Sequence, residues 1–162
     1  MQLWRVTRAA RREHAFAGKY AARFGARWNP PGAPAVYLAG SLALAVLESL
    51  VHVQSPYAPP DLLAIPVDVP DDVTVQEVTA AGLPAKWQDD ESAFCKTLGS
   101  TWHRTRKHAL LQVPSAVLPL ERNYVANPLH PDFQRLDVSH HGYPLRFDSR
   151  LIGFMDAQAT QE

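Results

Sequence analysis

The chain has 162 residues, 46% apolar and 20% charged, enough to bury an ordinary core as one compact domain and too few to expect two. Sixteen Lys and Arg balance sixteen Asp and Glu, so the positive excess with which nucleic-acid binders displace counterions is missing, and DNA is not an expected direct ligand. Cys95 stands alone, which excludes an internal disulfide and a thiolate-rich metal site, and it reads as a buried structural residue.

The start MQLWRVTR has no apolar stretch of signal-peptide length behind it, and no run approaches 18 apolar residues. The expectation is a cytoplasmic protein without a membrane span. Residues 3–6 read as a short strand. RAARREHAFAG follows with helical or loop character, and Arg5, Arg8 and Arg12 fall at roughly one-turn spacing, which also suits a solvated basic face. Prolines and a glycine forbid regular structure over residues 29–34, after which Val36, Tyr37 and Leu38 read as a strand. Ser41 is the expected N-cap of a helix running to about His52.

DLLAIPVDVP suggests another strand, which its prolines push towards a sheet edge or irregular pairing, and VTVQEV predicts a further short one. Helical spacing returns over residues 85–111, where Gly99 and Ser100 are expected to separate two helices, with Ser100 capping the second. Residues 109–118, broken by Pro114, return to strand. ERNYVANPLHPDF is loop-like through its Asn and Pro content, and PLRFDSRLI is the expected last strand. Residues 156–162 are expected to fray, which leaves a domain over residues 1–155. The alternation predicts a mixed α/β or α+β domain with short strands.

Familiar motifs are missing. Gly18-Lys19-Tyr20 lacks the upstream glycine of a phosphate loop, Glu13 standing in its place, and no Ser or Thr follows the lysine. No G-x-G-x-x-G is present. His103 and His108, five apart on a predicted helix, face different ways, and His140-His141 has no partner at zinc-like spacing, so no metal is expected.

Two charged residues stand out. On a helix, Glu48 neighbours Leu44, Ala45, Val51 and His52, so its carboxylate shares a face with core-like residues and needs a cation or hydrogen-bond donors. A surface position or a structural salt bridge would also satisfy it. Arg27 sits in GARWNPPG, a loop made rigid by glycine and proline, where a guanidinium offers forked donors suited to phosphate or carboxylate. Stacking on Trp28, or pairing with Glu48 for structure alone, are the alternatives. Tyr37 fits a core tyrosine with a bonded hydroxyl, and Ser115 a small strand residue.

The order GARWNPPG, AVYLAGSLALAVLESLVH, VPSAVLP and NYVANPLHP resembles the RES domain, the toxin half of Xre-RES toxin–antitoxin modules, from LWRV to NPLHP. The chain departs from the family at Gly25-Ala26, where two glycines are common. The resemblance implies an ADP-ribosyltransferase-like fold, a mixed α/β single domain with short split β-sheets and flanking helices. It implies an enzyme that breaks the nicotinamide–ribose bond of NAD+, with inorganic phosphate as co-substrate in a phosphorylase or water in a glycohydrolase. An ADP-ribosyltransferase acting on a host protein is the alternative, and a non-catalytic partner-binding domain the reading from another class. The implied partner is a helix-turn-helix antitoxin of Xre type, which would supply DNA binding indirectly.

By position the family's namesake residues fall on Arg27, Glu48 and Ser115, with the pocket tyrosine on Tyr37. Arg5, Trp28, Asn29, Asn123 and Asn127 complete the candidate substrate-binding set. Losing nicotinamide leaves positive charge on the ribose while the ring departs neutral, so one carboxylate suffices. Glu48 is then expected to stabilise the ribosyl cation, Arg27 to hold a phosphate, Tyr37 to border the nicotinamide, and Ser115 to orient the ribose, the amide or Glu48.

Overall fold

The computed structural model of the chain describes residues 1–51, 61–89 and 92–148. Strand β1 (Gln2–Arg8) runs antiparallel to β3 (Leu62–Asp68) in continuous register from Gln2 opposite Asp68 to Arg8 opposite Leu62. On its other side β1 meets β2 (Val36–Ala39) at one register position, Trp4 opposite Ala39. Beyond β2 lie β6 (Arg122–Ala126), β5 (Leu110–Pro114) and β4 (Val75–Glu77), the last parallel to β5. The short strands β7 (Asp137–Val138) and β8 (Tyr143–Pro144) flank the outer side of β3. The order β4-β5-β6-β2-β1-β3-β7, with β8 also on β3, is one eight-stranded sheet rather than split sheets; β1 and β2 meet in it at the single register position of Trp4 and Ala39.

Among the described residues three α-helices flank it: α1 (Lys19–Phe24), α2 (Leu42–Leu50) and α3 (Ala93–Thr105). Helix α2 forms because LALAVLESL is rich in strong helix formers and Ser41 caps it, its hydroxyl accepting the Leu44 amide at 3.2 Å. The expected end of this helix at His52 lies outside the described residues. Leu44 and Ala45 bury against Ala39, Trp4 and Val6, and a fully buried leucine is worth about 1.5–3 kcal/mol. Paired residues share a sheet face. One face carries Leu3, Val36, Leu38, Val67, Leu110 and Tyr124. The other sets Leu111, Val113 and Val125 against Trp28, Trp87, Cys95 and Trp102 from the loops and α3.

Several expectations give way to tertiary structure. Residues 93–105 form one helix, capped by Ser92 rather than Ser100, and His108 lies beyond its end. Arg5 and Arg8 belong to β1, whose two-residue period puts them on opposite faces, so the one-turn spacing with Arg12 has no structural counterpart. Strand β3 is interior and regular. Pro66 fits because its carbonyl accepts the Ser139 amide on the outer side, and the N–H that it lacks would fall between β8 and β7. NYVA, read as loop, is the core of β6, because β2 and β5 pair with it on both sides. Of the described part of PLRFDSRLI, residues 144–148, only Pro144 is in a strand; residues 149–162, including the expected frayed tail, lie outside the described residues.

Candidate functional site

Glu48 lies one turn beyond Leu44 and three residues beyond Ala45, so the helical period that buries those two turns its carboxylate towards the sheet. There Ser115 Oγ donates to Glu48 Oε1 at 2.7 Å and Asn123 Nδ2 donates to the same oxygen at 2.5 Å. Ser115 follows β5 and is wholly buried. Its hydroxyl oxygen already accepts the amides of Val117 at 3.1 Å and Leu118 at 2.9 Å, which uses both lone pairs and commits the hydroxyl proton to Glu48. Glu48 is half-buried; among the described residues nothing bonds Oε2 and no cation stands within ion-pair distance of the carboxylate. Neutral donors therefore hold one oxygen, and none of them holds the other.

Arg27 is positioned by a different set of contacts. Its Nη1 donates to the carbonyls of Trp87 at 3.0 Å and Asp89 at 2.6 Å, which fixes the guanidinium against residues 87–89. The turn that carries it closes on Asn29, whose Nδ2 donates to the carbonyls of Ala21, Pro30 and Ala33. Gly25 allows the turn at φ 72°, where a β-carbon would lie 2.9 Å from the Pro31 ring. Tyr37 locks the turn to the sheet by donating to Asn29 Oδ1 at 2.7 Å and accepting the Trp28 amide at 3.2 Å. Burial raises the Tyr37 hydroxyl pKa above its ordinary value, while the Trp28 amide and the charge of Arg27 draw it back.

The sheet brings the two ends together. Tyr37 pairs with Val125 and Ala39 with Asn123, so Tyr37 and Asn123 project from one face, two residues or about 7 Å apart along adjacent strands. A second path closes the circuit: Gln88, between the two carbonyls that hold Arg27, donates to the Ala116 carbonyl at 3.0 Å, beside Ser115. Tyr37, Glu48, Ser115 and Asn123 thus share one sheet face, and the loop that carries Arg27 is tied to that face through Tyr37 and, by way of residues 87–89, through Ala116. No ion pair joins Arg27 to Glu48 among the described residues.

The other candidates are occupied elsewhere. Trp28 is buried in the core with Trp87, ring centroids 6.4 Å apart. Asn29 and Asn127 are wholly enclosed; Asn29 ties its own turn, while Asn127 donates to the His103 carbonyl of α3 and accepts the Leu129 amide, and neither bonds Glu48. Arg5, paired with Ile65, points to the face opposite Trp4; its Nη1 donates to the Tyr37 carbonyl at 2.7 Å, from β1 to β2. Burial lowers its pKa to about 10. The carbonyls of Trp87 and Asp89 escape sequence reading because backbone acceptors leave no side-chain signature, and the Gln88 side chain because a lone glutamine in a loop does not show which carbonyl it meets.

Among the described residues no group of three or more His, Cys, Asp and Glu could hold a metal ion, and no helix is long and apolar enough to cross a membrane. A cavity of about 300 Å³ between α3 and β4, lined by Phe94, Leu98, Trp102 and Gln76, contains none of the site residues.

Comparison with known proteins gives this geometry a context. The RES domain family model matches residues 2–148. The chain is 35% identical to Toxin Res of Photorhabdus laumondii, over 94% of this chain and 97% of that one. It is 37% identical to the Prs ADP-ribosylating toxin of a Sphingobium species, over 80% and 83%. A chain in the crystal structure of the M. tuberculosis MbcT–MbcA toxin–antitoxin complex shares the fold, with a TM-score of 0.73 at 23% identity over 96% of this chain and 88% of that one.

Proposed function

This chain belongs to the RES domain family of toxins from toxin–antitoxin systems, and on that premise we propose that it is an enzyme that cleaves the nicotinamide–ribose bond of NAD+. The observation that carries the reading is the one-sided grip on Glu48, a half-buried residue with two donors on Oε1 and, among the described residues, none on Oε2. A fixed carboxylate oxygen beside a forming ribosyl cation lowers the barrier without having to reorganise. As the glycosidic C–N bond breaks, its electron pair leaves with the nicotinamide nitrogen, and the pyridinium becomes a neutral ring. The departing group needs no proton, so a second carboxylic acid has no task.

An oxygen of inorganic phosphate then bonds to the anomeric carbon and gives ADP-ribose 1''-phosphate, or water attacks, loses a proton and gives ADP-ribose. Arg27, fixed by the carbonyls of Trp87 and Asp89, supplies a positive charge for the pyrophosphate or for the attacking phosphate. Tyr37 keeps its proton and borders the nicotinamide. The partner in this reading is an Xre-type helix-turn-helix antitoxin that covers the site and brings the DNA binding that this neutral chain lacks, and the enzyme acts in the cytoplasm.

Incubating the purified chain with NAD+, with and without phosphate, tests the reading. Free nicotinamide is expected, and ADP-ribose 1''-phosphate when phosphate is present; intact NAD+ under both conditions would instead favour a non-catalytic partner-binding domain. The name of the Sphingobium relative favours a second reading, in which the same cation is captured by a protein side chain. Label from adenine-labelled NAD+ found on a target protein would identify that route.

A further inference from the structure

Asn123 has an unusual balance of bonds. Its Nδ2 donates to Glu48 Oε1 at 2.5 Å, while its Oδ1 is buried and accepts no hydrogen bond. Turning the amide over would not repair this, since Oδ1 would then face the carboxylate, acceptor against acceptor. An enclosed carbonyl without a donor is unfavourable, and native folds rarely keep one. The register explains why it is kept: Asn123 lies between Ala39 on β2 and Val113 on β5, on the face that α2 covers, where its short side chain reaches Glu48.

We propose that Asn123 is a positioning residue that acts through Glu48, its amide N–H and the Ser115 hydroxyl together pinning Oε1 so that Oε2 meets the substrate; the assignment rests on the NAD+-cleaving reading. It differs from a substrate-binding role, because neither polar atom of the side chain is offered to a ligand. It also differs from a structural role, because the fold retains an unpaired carbonyl for the sake of one contact to a half-buried carboxylate. Ser115 alone would leave the carboxylate free to turn about that single bond.

The test compares wild type, Asn123→Leu and Asn123→Asp as full chains in NAD+ turnover, together with their melting temperatures. Asn123→Leu removes the orphaned carbonyl and the donor, so melting temperature should hold or rise while kcat falls about tenfold or more and KM stays within about twofold. Asn123→Asp sets a carboxyl against Glu48, where one shared proton restores a donor, so its activity relative to wild type should climb as pH falls. Loss of melting temperature in step with activity in Asn123→Leu would return the residue to a structural role. An unchanged kcat in that variant, or a flat pH ratio in Asn123→Asp, would overturn the assignment and leave the parent reading intact. A wild-type chain inert towards NAD+ would overturn both.

Discussion

Gly99 lies so close beneath Trp28 that a β-carbon built on it would fall 1.8 Å from the Trp28 carbonyl oxygen. Helix α3 therefore meets the Arg27 turn backbone to backbone. Replacing a helical glycine by alanine ordinarily gains about 1 kcal/mol. Here Gly99→Ala is expected to cost about 2 kcal/mol or more, because the turn or the helix must move away. Urea denaturation measures this, and turnover should fall with stability because Arg27 adjoins Trp28. A variant as stable as wild type would mean that the contact is loose.

Glu48→Gln should separate chemistry from folding. The glutamine carbonyl can still accept from Ser115 and Asn123, so stability should stay within about 1 kcal/mol of wild type. Nicotinamide release should fall about a hundredfold or more, the scale of a lost electrostatic stabiliser. Wild-type turnover in this variant would remove Glu48 from the reaction.

Ser115→Ala should behave differently, because one oxygen serves three partners. The amides of Val117 and Leu118 lose their acceptor and Glu48 loses a donor, so stability should drop by about 1 kcal/mol or more and kcat about tenfold. Thermal melting and turnover on the same preparation check both. Loss of activity alone would show that the turn stands without the hydroxyl.

Tyr37→Phe strips the hydroxyl that joins Asn29 Oδ1 to the Trp28 amide, at an expected cost of about 2 kcal/mol. Its pH signature follows from the sign of the shift. Burial raises the folded pKa above the unfolded value near 10, so the stabilisation is complete below about pH 10 and is lost as pH rises through the folded value. Arg5 works the other way, since its lowered pKa favours the fold as pH rises past about 10. The difference between wild type and Tyr37→Phe isolates the tyrosine. That difference should shrink in alkali, and a constant gap would contradict the shift.

The helical period made Glu48 legible, because positions 44, 45 and 48 fall on one side of a helix that Ser41 visibly begins. Arg27 was legible from the breakers around it. The neighbouring asparagines were not: an amide that ties a turn, as Asn29 does, or a loop to a helix, as Asn127 does, is written with the same letter as one that bonds an acid, as Asn123 does. Strand β6 was obscured because its four central residues are extended by partners on both sides and flanked by polar and proline signals. Gly99 reads locally as a helix break, and only the approach of Trp28 explains it.

Helix α2 rests on both β1 and β2, on Trp4 and Val6 from one and on Ala39 from the other, while the two donors to Glu48 come from β6 and from the residue after β5, on the β2 side alone. The acid is thus carried on a bridge whose piers stand on two strands. Any change in the pairing of Trp4 with Ala39 would therefore shift Glu48 relative to Ser115 and Asn123.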